Sequence, residues 1–107
     1  MELNDTNFEQ ITTSGNWVVC YYYSWCKPCH KLIKMLNSSY NNQNKVNLGY
    51  VNLDECPILS NNKKISIVPT LHMISNQKLK DKIVGLMDIK KLKGVIDKKI
   101  NNLLKNN

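Results

Sequence analysis

The stretch Trp17-Val18-Val19-Cys20-Tyr21-Tyr22-Tyr23-Ser24-Trp25-Cys26-Lys27-Pro28-Cys29-His30 carries both the fold signal and the chemistry of this chain. Its first seven residues are apolar on both faces, the pattern of a central parallel strand covered by helices on either side. From Cys26 onward the apolar positions Leu32, Ile33, Met35 and Leu36 recur at helical spacing. Cys26 and Cys29 therefore stand at a strand-to-helix turn, where two thiols three residues apart can trade a dithiol for a disulfide.

Upstream of this stretch, Thr6-Asn7-Phe8-Glu9 has the form of a capping box and predicts a short helix from about Thr6 to Thr13, closed by Ser14-Gly15-Asn16. A short edge strand at Met1–Leu3 can precede it. Downstream, the second helix runs out at the polar stretch Asn37 to Asn44. Val46 to Leu53 reads as a strand, and Pro57, with Asp54-Glu55 before it, opens a short third helix. Thr70 to Ile74 is a strand entered through Val68-Pro69, and Ser75-Asn76-Gln77-Lys78 turns it into the strand Leu79 to Val84. Asp88 caps a last helix with the stripe Ile89, Leu92, Ile96, Ile100 and Leu103. The expected class is α/β, a central mixed four- or five-stranded sheet flanked by helices, in one domain spanning 1–107.

The charge of +7 comes from lysine alone, because the chain has no arginine. A nucleic-acid reader is expected to use arginine forks and exposed aromatics, so the lysines read as a solvated surface that favours acidic protein partners. The acidic, polar N-terminus lacks the apolar core of a signal peptide, and no apolar run reaches the length of a membrane span. Four cysteines with a single close pair fit no secreted disulfide framework. A cytoplasmic, monomeric protein that contacts neither nucleic acid nor membrane is expected.

The chain resembles the thioredoxin family over nearly its whole length. The resemblance rests on Trp25-Cys26-Lys27-Pro28-Cys29, on Val68-Pro69-Thr70 some forty residues later, on Asp54 at the end of the middle strand and on Gly85 after the last one. It implies a thioredoxin fold and the reduction of protein disulfides by a Cys26–Cys29 dithiol, with a thioredoxin reductase as electron donor and no cofactor. It also implies that the Val68–Pro69 bond is cis and faces the cysteines, with Val68 binding the substrate backbone. Three positions depart from the family. Cys20 stands where a buried aspartate helps deprotonate the second cysteine, Tyr22 replaces a tryptophan, and Lys34 replaces the proline that kinks the active-site helix.

The residue chemistry agrees with this implication. A helix N-terminus favours the Cys26 thiolate and can bring a thiol from ~8.5 to near ~7, with Lys27 adding a cation. Pro28 fits the first helical turn, where its missing N–H would be unbonded, and stiffens the loop that holds Cys29 near Cys26. Trp25, Val68 and Pro69 are expected to form the docking surface around the reactive sulfur. Cys26-Lys27-Pro28-Cys29-His30 also matches the pattern of c-type haem attachment, but buried strands do not supply the helical wrap that haem needs. A zinc site would draw on Cys20, Cys56, His30 and His72, which lack paired spacing, so no metal is expected. Cys56 reads as a small helix-start residue, with glutathionylation or intermolecular pairing as its alternative. The competing functional reading is a docking module of the same fold that uses its cysteines little or slowly.

Overall fold

Strand β2 (Asn16–Tyr22) lies at the centre of a five-stranded sheet ordered β1-β3-β2-β4-β5, in a computed structural model that describes residues 1–40, 45–85 and 88–105. Its neighbours are β3 (Asn47–Asn52), which runs parallel, and β4 (Thr70–Ser75), which runs antiparallel. The edges are β1 (Glu2–Leu3), parallel to β3, and β5 (Lys78–Val84), antiparallel to β4. The sheet is thus mixed and five-stranded, and the short first strand is present. The β4–β5 turn places Asn76 and Gln77 at φ 48° and 76°, the doubly left-handed conformation that a two-residue hairpin needs.

Because successive strand residues point to opposite faces, β2 feeds two cores. Val18, Cys20 and Tyr22 pack with α2 (Lys27–Tyr40) and α4 (Ile89–Lys105). Trp17, Val19 and Tyr21 pack with Phe8 of α1 (Phe8–Ile11) and Leu59 of α3 (Pro57–Lys63). Every β2 side chain from Trp17 to Tyr22 is buried, as its two-sided apolar pattern requires.

The boundaries differ from expectation where distant groups decide them. The first helix spans only Phe8–Ile11, and Thr6 does not cap it. Asn4 and Asn7 form the reciprocal pair instead: the Asn4 side-chain oxygen accepts from the Asn7 N–H at 3.0 Å, and the Asn7 oxygen accepts from the Asn4 N–H at 2.8 Å. Asn4 also accepts from the Thr6 N–H, so Thr6 is held as a donor and not as a cap. Helix α2 continues past Leu36 to Tyr40, so the expected polar loop begins later than Asn37, and its remainder, 41–44, lies outside the described residues. Asn37 accepts from the Tyr50 hydroxyl and Tyr40 donates to Asp97, two anchors that carry the helix beyond its apolar stripe. Asp88 caps α4 as expected, accepting from Lys90 N–H at 2.9 Å.

Candidate active site

The turn between β2 and α2 is built by backbone bonds and one carboxylate. Cys26 N–H bonds the Tyr23 carbonyl at 3.0 Å, closing the turn, and Cys26 C=O accepts the His30 N–H at 3.3 Å, opening the helix. Asp54, just past β3, takes the Ser24 N–H at 2.9 Å and the Ser24 hydroxyl as well. Those two bonds hold its carboxyl below the usual carboxylate range and fasten the turn to the neighbouring strand. His30 Nε2 meets the Ser24 carbonyl at 2.8 Å, a third brace on the same loop. Asp54 is legible in the sequence as the end of the middle strand; its bonds to Ser24 are not, because they join residues thirty apart.

Cys26 and Cys29 are joined as a disulfide with Cα atoms 5.3 Å apart. Cys26 occupies the N-cap position of α2, and its Sγ accepts the Cys29 N–H at 3.2 Å, as a serine oxygen does in ordinary capping. Of the two sulfurs' residues, Cys26 is 6% exposed and Cys29 is 0% exposed. Lys27 and Pro28 follow on the exposed first turn. Trp25 is 70% exposed and stacks on Tyr23, with ring centroids 5.1 Å apart. Tyr23 is the residue that sequence reasoning misses here; as the last of three tyrosines it carries no signal separating it from the strand.

The Val68–Pro69 bond is cis, as the resemblance implied. Val68 packs against the cluster that holds Cys26 and Cys29, and Pro69 is braced by the Gly85 N–H on its carbonyl at 2.9 Å. Gly85 has φ +84°, a conformation that side chains rarely adopt, which accounts for glycine at that point.

Behind the pair, Cys20 is fully buried, and its thiol is pushed up to about 12 by burial and then by Glu2. Tyr22 donates to the Glu2 carboxylate at 3.0 Å and sets its ring edge-on to His30. Cys56 is the N-cap residue of α3 and 1% exposed, its thiol directed at the Leu3 carbonyl. Burial keeps it from the surface, in line with a structural role. His72 lies on β4 and not near the cysteine pair's turn, its ring against Tyr21 at 4.7 Å.

A buried partner sulfur beneath a less buried one, at a helix start, is what exchange of a dithiol for a disulfide requires. The protein is a thiol-disulfide oxidoreductase. The thioredoxin family model matches residues 1–98, and the chain belongs to that family. It is similar to the thioredoxin of Buchnera aphidicola, 32% identical over 94% of this chain and 96% of that one. The thioredoxin of Chlamydia caviae is 32% identical over 77% of this chain and 80% of its own length. In fold it is similar to a mutant thioredoxin from Halobacterium salinarum, with a TM-score of 0.77 at 23% identity, covering 92% of this chain and 88% of that chain.

Proposed function

We propose that the protein reduces disulfides of other proteins, with Cys26 as the attacking sulfur and Cys29 as the resolving one. The observation that carries the assignment is the pairing of a more exposed Cys26 at the helix N-cap with a fully buried Cys29 whose N–H is directed at the Cys26 sulfur. Reduced, Cys26 would hold a thiolate stabilised by that N–H and the positive end of α2. The thiolate attacks one sulfur of the substrate disulfide, forming a mixed disulfide and expelling the other substrate sulfur as thiolate. Cys29 then loses its proton and attacks Cys26 Sγ, expelling the second substrate thiolate and leaving Cys26–Cys29 oxidised. Two electrons and two protons pass to the substrate, and a thioredoxin reductase returns them.

Trp25, Val68 and Pro69 serve as the docking edge, Val68 through its backbone, while Lys27 and Pro28 support the thiolate and hold the turn. A reducing compartment such as the cytoplasm suits a cycle that must be reset to the dithiol, and two buried free thiols, Cys20 and Cys56, accord with it. The test is reduction of insulin with NADPH and a thioredoxin reductase. Turnover is expected, and none at an intact Cys26–Cys29 pair would leave the docking module as the better reading.

A further inference from the structure

Helix α3 is only seven residues long, and on its side of the sheet the β5 residues Lys82 and Val84 are exposed while β4 is buried throughout. In antiparallel pairs directly opposed residues share a face, so Thr70 with Val84 and His72 with Lys82 point the same way as Val19 and Tyr21 of β2. The result is a groove of about 240 Å³ between the C-terminal end of α3 and the β5 edge. Its walls bring together Lys63, Lys64 and Lys82, the Ser66 and Thr70 side chains, and His72. One end reaches Ile67 and Thr70, on either side of Val68-Pro69; Ile67 is 52% exposed.

Two features separate this groove from an ordinary lysine-covered surface. His72 is only 5% exposed, yet it lines the groove beside Lys63, Lys64 and Lys82. Beside it the Tyr21 hydroxyl is fully buried with no partner among the described residues. An unpaired buried polar group is costly, and among the described residues the Tyr21 hydroxyl is the one such side-chain atom. Among the described residues the carboxylate at the rim is that of Glu9, which lies 3.7 Å from Lys63 and is itself largely exposed, so that pair is weak. Among the same residues the ammonium groups of Lys64 and Lys82 have no acidic partner.

We propose that this groove binds an acidic segment of the substrate protein, next in its chain to the disulfide that docks at Val68. The inference rests on the disulfide-reductase reading above and adds to it a preference among substrates. Carboxylates answer the lysines, while the Ser66 hydroxyl and the His72 ring supply hydrogen-bonding groups that a lipid or an apolar peptide would leave unmatched; the Thr70 hydroxyl is already donated to the Ile67 carbonyl at 2.6 Å.

The test is a titration of the isotope-labelled protein with a cysteine-free, glutamate-rich peptide and with its glutamine counterpart, read at the backbone amides. The glutamate peptide should shift Ser66, Thr70, His72 and Lys82, and the glutamine peptide should not. Binding should weaken about fivefold or more in Lys64→Gln/Lys82→Gln, and hold in the charge-matched Lys91→Gln/Lys98→Gln on α4. Equal shifts from both peptides, shifts confined to other surfaces, or equal weakening in both variants would each overturn the proposal. So would inorganic phosphate moving the same amides as strongly at equal concentration, which would make the groove a free-anion site. No sulfur chemistry enters the titration, so failure of insulin reduction would count against the reductase reading and leave this result standing.

Discussion

The Cys29 N–H points at Cys26 Sγ from 3.2 Å, so the more deeply buried cysteine's own backbone caps the sulfur of the less buried one. The two residues are coupled twice, by this hydrogen bond and by the disulfide. Reduction breaks the second link and leaves the first as a donor to the thiolate. That donor favours charge on Cys26, so the support proposed above for the exposed Lys27 is an accessory one.

That asymmetry predicts unlike outcomes for the two serine variants. Cys26→Ser should abolish insulin reduction. Cys29→Ser should also fail to turn over but should accumulate a mixed disulfide through Cys26, detectable by mass spectrometry of the trapped adduct. An adduct mapped to Cys29 in Cys26→Ser, formed as readily, would reverse the assignment.

Cys20 sets the second prediction. Its thiol is pushed up to about 12 by burial, so it stays protonated across the neutral range and cannot take the proton from Cys29. A carboxylate in its place could. Cys20→Asp should release the mixed disulfide several-fold faster near pH 7, at a stability cost of about 1–3 kcal/mol. Burial would raise the new carboxyl's pKa, so that cost should shrink as pH falls towards ~4, where folded and unfolded chains are both protonated. Stopped-flow reduction and urea unfolding measure the two effects; a folded variant with unchanged release would show that water or His30 already serves as base.

What the sequence made legible was local. The cysteine pair, the Val68-Pro69 turn, the β2 core strand and the Asp88 cap are each specified by residues a few positions apart, and each stands where expected. The misses are long-range. Asp5 accepts from the Ile58 and Leu59 N–H groups and so caps α3 from more than fifty residues away, the job that Asp54-Glu55 stood next to in sequence. Nothing in a helical repeat shows that Tyr40 will find Asp97, and the apolar pattern accordingly ends α2 at Leu36. The groove by His72 is hidden for the same reason: Lys63 and Lys82 belong to separate elements that only the fold brings to one groove.

Tyr40 supplies a third prediction. Its hydroxyl donates to Asp97, which also pairs with Lys93 at 3.1 Å, and so links α2 to α4 across one face of the sheet. The Tyr40 bond first, then Lys93, hold the Asp97 carboxyl below its usual range. Tyr40→Phe should lower stability by about 1 kcal/mol at pH 7 and raise the Asp97 pKa. Because a depressed carboxylate stabilises the fold above its unfolded pKa and ceases to as pH falls through its folded one, the deficit should narrow in acid. Urea unfolding of both proteins at pH 7 and pH 3 checks this; an equal deficit at both would mean that the ring's packing, and not the bond, was lost.

The last prediction concerns His72, whose pKa is brought down to about 4 by burial first and by Lys63 and Lys82 second. The unfolded chain binds its proton near ~6.5, so between that pH and about 4 the unfolded state holds a proton that the folded state refuses. Stability should therefore be unaffected above pH ~6.5 and fall as the pH drops through this window, by up to ~1.4 kcal/mol per unit. The carboxylates held low, Asp54, Asp81 and Asp97, would begin to weaken the fold only below about pH 5, so the loss between pH ~6.5 and ~5 belongs chiefly to His72. His72→Leu keeps an apolar group against Tyr21, removes the titrating ring and should flatten the profile over that interval. Urea midpoints at pH 7, 6 and 5 measure it. The same decline in wild type and variant would show that His72 is free to charge in the folded protein and that the lysines around it do not hold it neutral.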